Sequence, residues 1–466
     1  MFDDCLKERC YTQRVTRLLA GVLLFIAAGY SQVYGRRSIQ YSDIPPDLRE
    51  ALGAGGGSEQ AFDVLLRSFE QKTAQRERLG QMDQLIFFLL QSETFTSQPR
   101  IEPALSARTM VESLSAPERE RYLRGELDSS PPLRLIPGGV AARIRDLTRA
   151  LRSRGGDERL AWCQDLLGPE NVESTLSAEY FRAMRFLYEK EFLSKRFEGD
   201  RRRAEVAELY QTRGLSTDSR ADAGLAVWKA LAFLKQESPA TRLDRVLIVG
   251  PGLDSAPRTD LTDLPPESSQ PFALADAILQ LGLSAPATLS IHCVDISAQV
   301  VGFLQEFSSR PLSRVTFLSR RGTSEYQAYF RSLGNALGHE VPPNPNWKLP
   351  QSVQAKTIEV QRGIARGITA SRMNILTETG APRFDLVVAT NVFVYFDRPE
   401  LLLALAGIHS LLRDGGYLIH NEIRDDIDNF SRGLGMPPLD ARRIPLFENE
   451  RRVVLDGFVL HRKDSR

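Results

Sequence analysis

Apolar residues fall in two different rhythms along this chain. In the second half they form short unbroken runs, as strands covered on both faces do. Phe384–Ala389 is apolar apart from Asp385, Val246–Val249 is followed by Gly250-Pro251-Gly252, and Leu289–Val294 is followed by Asp295. Arg372–Leu376 reads as a third strand of this set, Tyr417–Ile419 as another, and Ile444–Phe447 and Arg452–His461 as a terminal antiparallel hairpin. Between two of these strands Asp397-Arg398-Pro399-Glu400 has the form of a capping box with proline in the first turn. Leu401, Leu405, Ile408 and Leu412 then recur at helical spacing, and Gly415-Gly416 is the expected stop.

From about 58 to 235 the rhythm is helical, with charges between apolar residues three and four apart. Helices are expected over Ala61–Ala74, Gln81–Leu90, Ala104–Leu114, Ala141–Leu151, Glu158–Leu167, Ser177–Phe197 and Ala221–Leu234, with a Pro- and Gly-rich hinge at Ser129–Pro137 and no internal repeat. The polar segment Gln211–Asp218 precedes the first strand, where Asp218 can cap the following helix. The stretch from about 308 to 370 is too long for a simple crossover and reads as an insertion over the carboxyl edge of the sheet. Its Tyr326, Tyr329, Phe330 and Trp347 are candidates for an apolar wall, or for packing an extra helix on the outside.

Candidate chemistry gathers at the carboxyl ends of the runs, where open parallel sheets bind ligands. Gly250 and Gly252 let a ligand pass against backbone where a Cβ would intrude. Asp295 is placed to accept ribose hydroxyls, or to cap the next helix. Thr390, Asn391 and Tyr395 follow the Phe384–Ala389 run, and His420 and Glu422 follow the next one.

The order of elements in Arg383–Glu422 resembles the second half of class I S-adenosylmethionine (SAM)-dependent methyltransferases. Asn391-Val-Phe-Val-Tyr395-Phe-Asp397 is similar to the chemotaxis-receptor (CheR-type) methyltransferase family. The resemblance implies a Rossmann-like seven-stranded, mostly parallel α/β sheet with a C-terminal antiparallel hairpin, spanning roughly 240–466 behind a mainly helical domain. It implies SAM as cofactor and carries a place beside the methyl donor to Asn391 and Tyr395. It also likens Asn374-Ile375-Leu376 to the segment at the family's adenine pocket. That family usually has arginine where this chain has Thr390. Segments just before the first strand often close over the donor in methyltransferases, so Arg213, Ser216 and Thr217 are candidates for the donor carboxylate or the acceptor. Gly250, Gly252, Asp295, Asn374 and Asn391 are thus the expected cofactor-binding residues. If the acceptor is a carboxylate no strong base is needed; for a hydroxyl or amine, Tyr395, His420 and Glu422 are the catalytic candidates. The acceptor itself, a small molecule, a lipid or a protein carboxylate, is not legible.

Composition narrows the partners. The 466 residues carry a net charge of +1, with basic runs such as Arg201-Arg202-Arg203 interleaved with acids, so no nucleic-acid partner is expected. Four cysteines in a chain this long make no disulfide framework, and five histidines form no metal-binding spacing. Leu18–Tyr30 is an apolar run behind Lys7, Arg9, Arg14 and Arg17, which reads as a signal or membrane anchor within residues 1–37. Export conflicts with a cytosolic supply of SAM. Two rival readings therefore stand beside the methyltransferase: a membrane-tethered scaffold that keeps the fold without catalysis, and an NAD-binding oxidoreductase, which shares the glycine turn and strand-end acid.

Overall fold

The computed structural model describes residues 36–128, 133–152, 158–216, 219, 221–254, 263–347, 349–449 and 452–465. The Leu18–Tyr30 run lies outside them, and among the described residues no helix is long and apolar enough to cross a membrane.

The C-terminal half is the expected α/β sheet of seven strands. They are β1 Arg245–Val249, β2 Ser290–Asp295, β3 Ile368–Arg372, β4 Phe384–Ala389, β5 Leu412–His420, β6 Pro438–Asn449 and β7 Arg452–Arg462, in the order β6-β7-β5-β4-β1-β2-β3. The five strands from β5 to β3 are parallel, while β7 runs antiparallel to both β5 and β6. Alternation explains why β1 is apolar after Arg245: Val246 and Ile248 enter one core, Leu247 and Val249 the core on the opposite face. Asp385, the acid inside β4, serves the edge of the sheet. Its Oδ2 accepts the backbone N–H groups of Asp244 at 2.7 Å and Arg245 at 2.9 Å, and Arg413 pairs with its Oδ1 at 2.8 Å.

Two boundaries differ from expectation. The third strand is Ile368–Arg372, so Asn374-Ile375-Leu376 belongs to the loop beyond it and not to the strand. The helix after β4 ends at Leu411; Leu412 already pairs with Phe384, and Gly415, at φ +71°, sits inside the irregular start of β5. The capping box that opens this helix does form, Asp397 accepting from Glu400 N at 3.1 Å and Glu400 accepting from Asp397 N at 3.0 Å.

The N-terminal half is helical, and its organising element is one helix where two were expected: α1, Glu59–Gln91, 33 residues long. Gly80 does not break it. The glycine lies where the chain crosses the Arg213–Ser216 segment, and a Cβ there would stand 1.7 Å from the carbonyl oxygen of Leu215. Two more helices that periodicity did not resolve are Ala116–Leu123 and α2, Gly199–Thr212. Then α3, Gly224–Glu237, leads to β1; α4, Gln270–Gln280, and α5, Ala298–Ser309, flank β2.

The insertion between α5 and β3 is a three-stranded antiparallel sheet, Ser313–Arg320, Val353–Val360 and Gly338–Val341 in spatial order, with a helix at Ser324–Ser332. Three of the four aromatics named for it, Tyr326, Tyr329 and Phe330, are core, while Trp347 is only half-buried. Tyr326 is fully buried against Tyr329, Phe330 and Phe447, with its hydroxyl 2.6 Å from Ser319 Oγ. That settles which of the two expected roles they take: they fasten the insertion to α3 and the terminal hairpin.

Candidate functional site

A cavity of about 860 Å³ opens at the carboxyl ends of β1, β2, β4 and β5, within the size range of ligand sites. Its floor is backbone. Gly250 and Gly252 both hold positive φ, +65° and +67°, a conformation that favours glycine, and the Gly250 N–H is tied to Val294 O at 2.8 Å. A Cβ on Gly250 would meet Val392 Cγ2 at 3.0 Å. Asp295 ends β2 in the adjoining wall. Its Oδ1 accepts the N–H of Ser297 at 2.8 Å, two residues on and ahead of the first turn of α5, so it does not cap that helix, and Asp295 lines the cavity. Burial pushes its carboxyl up to about 6, against the pull of backbone N–H groups from Ser297, Gly252 and Ile296.

Asn374 and Asn391 line the same cavity. Asn374 Oδ1 accepts from Leu376 N at 3.1 Å, and its own N–H donates to Glu378 at 2.8 Å, which fixes the loop beyond β3. Asn391 is left-handed at φ +58° and is held there by a reciprocal pair with Asn421, whose Oδ1 accepts the Asn391 N–H at 2.8 Å and whose Nδ2 donates to Asn391 Oδ1 at 2.9 Å. Such a conformation in a non-glycine residue persists only where its surroundings fix it. Tyr395 closes the short turn Phe393–Tyr395, its ring edge-on to Tyr210 of α2 at 5.7 Å.

The three catalytic candidates separate. Tyr395 and Glu422 line the cavity. His420 does not: it is 1% exposed, stacked on His461 with the two Nε2 atoms 2.9 Å apart, and burial holds it well below the usual imidazole range. The strand-end position is right, but His420 is the last residue of β5 and packs inside against His461, whereas Glu422, two residues on, has left the strand and lines the cavity. Burial pushes Glu422 up to about 7; N–H groups of Val394, Asn421 and Glu422 itself pull it down, though none meets its oxygens in hydrogen-bond geometry. Arg213 also departs from expectation, being buried under Phe186 at 3.9 Å and paired with Asp83 at 3.0 Å. Ser216 reaches the cavity, and Thr217 lies outside the described residues.

Other lining residues were not expected. Thr73, Arg76 and Glu77 come from α1, Arg320 and Arg321 from the insertion, and Leu446, Phe447, Leu455 and Asp456 from the terminal hairpin. Arg76 is the anchor: its Nη2 donates to Tyr395 O at 2.7 Å and Tyr210 O at 3.3 Å, its Nε to Arg213 O at 3.2 Å, and Glu400 lies 3.5 Å from Nη1. In sequence it is one more charge on a long helix, and only its fold-back across the sheet marks it.

Residues 339–426 match the family described as CheR methyltransferase, SAM binding domain. The chain is a SAM-dependent methyltransferase whose residues 339–426 are similar to the CheR SAM-binding domain. The match spans the second half of the insertion through β5, and with it Asn374, Asn391 and Tyr395. No curated protein matches the chain in sequence. Among solved structures, the N-methyltransferase NodS from Bradyrhizobium japonicum WM9 is similar at 12% identity and a TM-score of 0.28, covering 53% of this chain and 98% of its own. Magnesium protoporphyrin IX methyltransferase (ChlM) from Synechocystis PCC 6803, with bound S-adenosylhomocysteine (SAH), gives 11% and 0.28, covering 59% of this chain and 100% of its own. Likenesses at such scores carry no argument; the fold rests on the strand order of the sheet. The donor set suits SAM: a glycine floor for an extended ligand, a buried strand-end carboxylate and two asparagines.

Proposed function

We propose that this methyltransferase transfers its methyl group to an oxygen or nitrogen acceptor held in the 860 Å³ cavity. Gly250, Gly252, Asp295, Asn374 and Asn391 hold the donor, and Tyr395 and Glu422 border the acceptor. The observation that carries this reading is that all seven, though spread over some 170 positions of chain, line one cavity at the carboxyl edge.

SAM, when bound, supplies an electrophilic methyl on a leaving group that is already positively charged. The protein's task is then alignment. Asp295 accepts ribose hydroxyls on the oxygen that the Ser297 N–H does not occupy. The Asn391–Asn421 pair fixes the turn beyond β4, and Arg76, through the Tyr395 carbonyl, ties that turn to α1. Helix α1 and α2 cover the cavity and exclude water from it.

Calorimetry with the full chain tests this. SAM and SAH bind, NAD does not, and Asp295→Ala weakens SAM by about 1.5–3 kcal/mol through the lost charge-assisted hydrogen bonds. Binding of NAD alone overturns the reading in favour of an oxidoreductase, and a protein that binds none of the three is a scaffold. We also propose that Leu18–Tyr30 attaches the chain to a membrane with the sheet on the SAM-supplied side. Recovery of the full chain in the soluble fraction refutes that.

A further inference from the structure

Helix α1 brings a carboxylate to the donor's end of the cavity. Glu77 lines the cavity together with Gly252, Asp295 and Asn374, and 18% of its side chain is accessible. One arginine fixes where it stands. Arg372, the last residue of β3, pairs in register with Asp295 on β2. Its Nε donates to the carbonyl of Ile296, the residue after Asp295, at 2.9 Å, and its Nη2 donates to Glu77 Oε2 at 3.3 Å. Both nitrogens belong to one planar guanidinium, so a single rigid fork ties Glu77 to the chain that leaves Asp295. Glu77 Oε1 takes no part in that pair and has no hydrogen-bond partner among the described residues. Its charge is felt at Asp295, where it adds to burial in raising the carboxyl.

Asp295 alone is short of acceptor capacity for a ribose. A carboxylate offers about four lone-pair positions. Its Oδ1 accepts the Ser297 N–H at 2.8 Å, and the N–H groups of Gly252 and Ile296 also pull on the carboxyl. With those three donors in place about one position remains, against two hydroxyls on a ribose. Asn374 does not make up the difference, because its Oδ1 already accepts from Leu376 N at 3.1 Å. Two carboxylates held near one another also repel, and a neutral group that brings two O–H donors relieves both.

We propose that Glu77 is a second carboxylate of the donor site, accepting one ribose hydroxyl through Oε1 while Asp295 accepts the other through Oδ2. This rests on the methyl-donor reading above. The helical half then does more than cover the cavity: α1 completes the grip on the donor, and Arg372 is the positioning residue that sets Glu77 beside the end of β2. A plain surface ion pair predicts otherwise, since Arg372 is 59% accessible and an exposed pair contributes little to stability and nothing to ligand choice.

The test is calorimetry on the full chain, with SAH measured first. A chain that does not bind SAH overturns the donor site and Glu77 with it, whereas every other outcome concerns Glu77 alone. SAH is then compared with its 2′-deoxy and 3′-deoxy analogues, each of which lacks one hydroxyl. Wild type is expected to bind each analogue about tenfold or more weaker than SAH, as loss of a hydrogen bond to a charged group does. In Glu77→Ala, SAH itself weakens about tenfold, and the preference over one analogue falls to within about twofold while the preference over the other is kept. In Asp295→Ala the two analogues exchange places. Glu77→Gln, which keeps an acceptor oxygen and the shape of the side chain, falls between wild type and Glu77→Ala. A wild-type SAH affinity in Glu77→Ala overturns the assignment. So does a common loss for SAH and both analogues, which is what a merely structural contact gives.

Discussion

The donor side and the acceptor side proposed for the cavity are built by different means. The donor side is made of strand ends and the turns that leave them: Gly250, Gly252, Asp295 and Asn391 each lie within a few residues of β1, β2 or β4. The acceptor side is assembled from α1, the insertion and the terminal hairpin, which meet only because the chain folds back over the sheet edge. A parallel sheet fixes its own ligand edge through pairing and register, so the donor side is rigid by construction. The acceptor side depends on side chains that bridge elements hundreds of residues apart, among them Arg76, which ties α1 to the turn beyond β4 and to the helix after it.

Arg76→Ala is accordingly the sharpest way to break the comparison. It removes donors from three backbone carbonyls and a buried partner from Glu400, which is 1% exposed at its side chain. Losing one side of a buried pair costs about 3–5 kcal/mol, and the lower end applies because Glu400 keeps Lys72 at 2.9 Å. Thermal unfolding should show the loss, with proteolysis opening α1 and α2 before the sheet. A variant that melts as one unit near the wild-type temperature contradicts the division.

Gly80→Ala attacks the same bridge from the backbone. The added methyl meets Leu215 O at 1.7 Å, and Gly214 is equally tight, its own Cβ falling 2.2 Å from Gly80 N. No rotamer relieves a clash between two main chains. The expected loss is about 2–3 kcal/mol, together with weaker SAM binding as the Leu215–Ser216 lining moves away from the cavity. Unchanged SAM affinity in a destabilised variant separates the helical cover from the donor site.

The sequence is read correctly where periodicity or a local motif controls structure. Strand runs, the Asp397–Glu400 box and the glycine turn need only neighbours in sequence to form, so the sheet and its terminal hairpin were legible. Arg372–Leu376 was placed too late because Met373, Ile375 and Leu376 are apolar for another reason: they pack into the core as the loop leaves β3. His420 and Glu422 look alike as strand-end titratable groups, and only the end of β5 at His420 and its His461 partner tell them apart. Nothing in the spacing of Tyr326, Tyr329 and Phe330 distinguishes a pocket wall from a packed helix, since both want a buried aromatic face.

Glu422 makes the two sides distinguishable by pH. In the folded chain burial pushes its carboxyl up to about 7, while in the unfolded chain it returns to about 4.5. Between those values the folded state holds more protons, so stability falls as pH rises through that window. Asp295 and Asp254, both pushed up to about 6 by burial, slope the same way. Glu422→Gln removes one contribution, about 2–3 kcal/mol once the wild-type carboxyl is ionised. The melting temperature of Glu422→Gln should therefore drop less than wild type between pH 5.5 and pH 8, roughly the window just named. Parallel pH profiles for the two proteins would show that Glu422 is not buried in solution.

The smallest effect belongs to Lys72, one turn of α1 before Arg76. Its ammonium lies 2.8 Å from Asp397 and 2.9 Å from Glu400, so by distance alone it bridges α1 to the capping box as closely as Arg76 does. Exposure decides otherwise. Its side chain is 36% accessible against 6% for Arg76, and Asp397 is 35% accessible. Water screens such a pair and restores most of what the contact gives, so Lys72→Ala should cost less than about 1 kcal/mol. Asp397 keeps its capping role without it, because the Glu400 N–H and the Asp397 N–H bonds do not involve Lys72. The double variant Lys72→Ala with Arg76→Ala then goes beyond either single change, since it leaves Glu400 buried with no cation at all. Its loss should exceed the sum of the two by about 1 kcal/mol or more, as coupled neighbours do. Simple additivity in thermal or denaturant unfolding would mean that the two cations do not share Glu400, and that the helical cover is held to the sheet by packing alone.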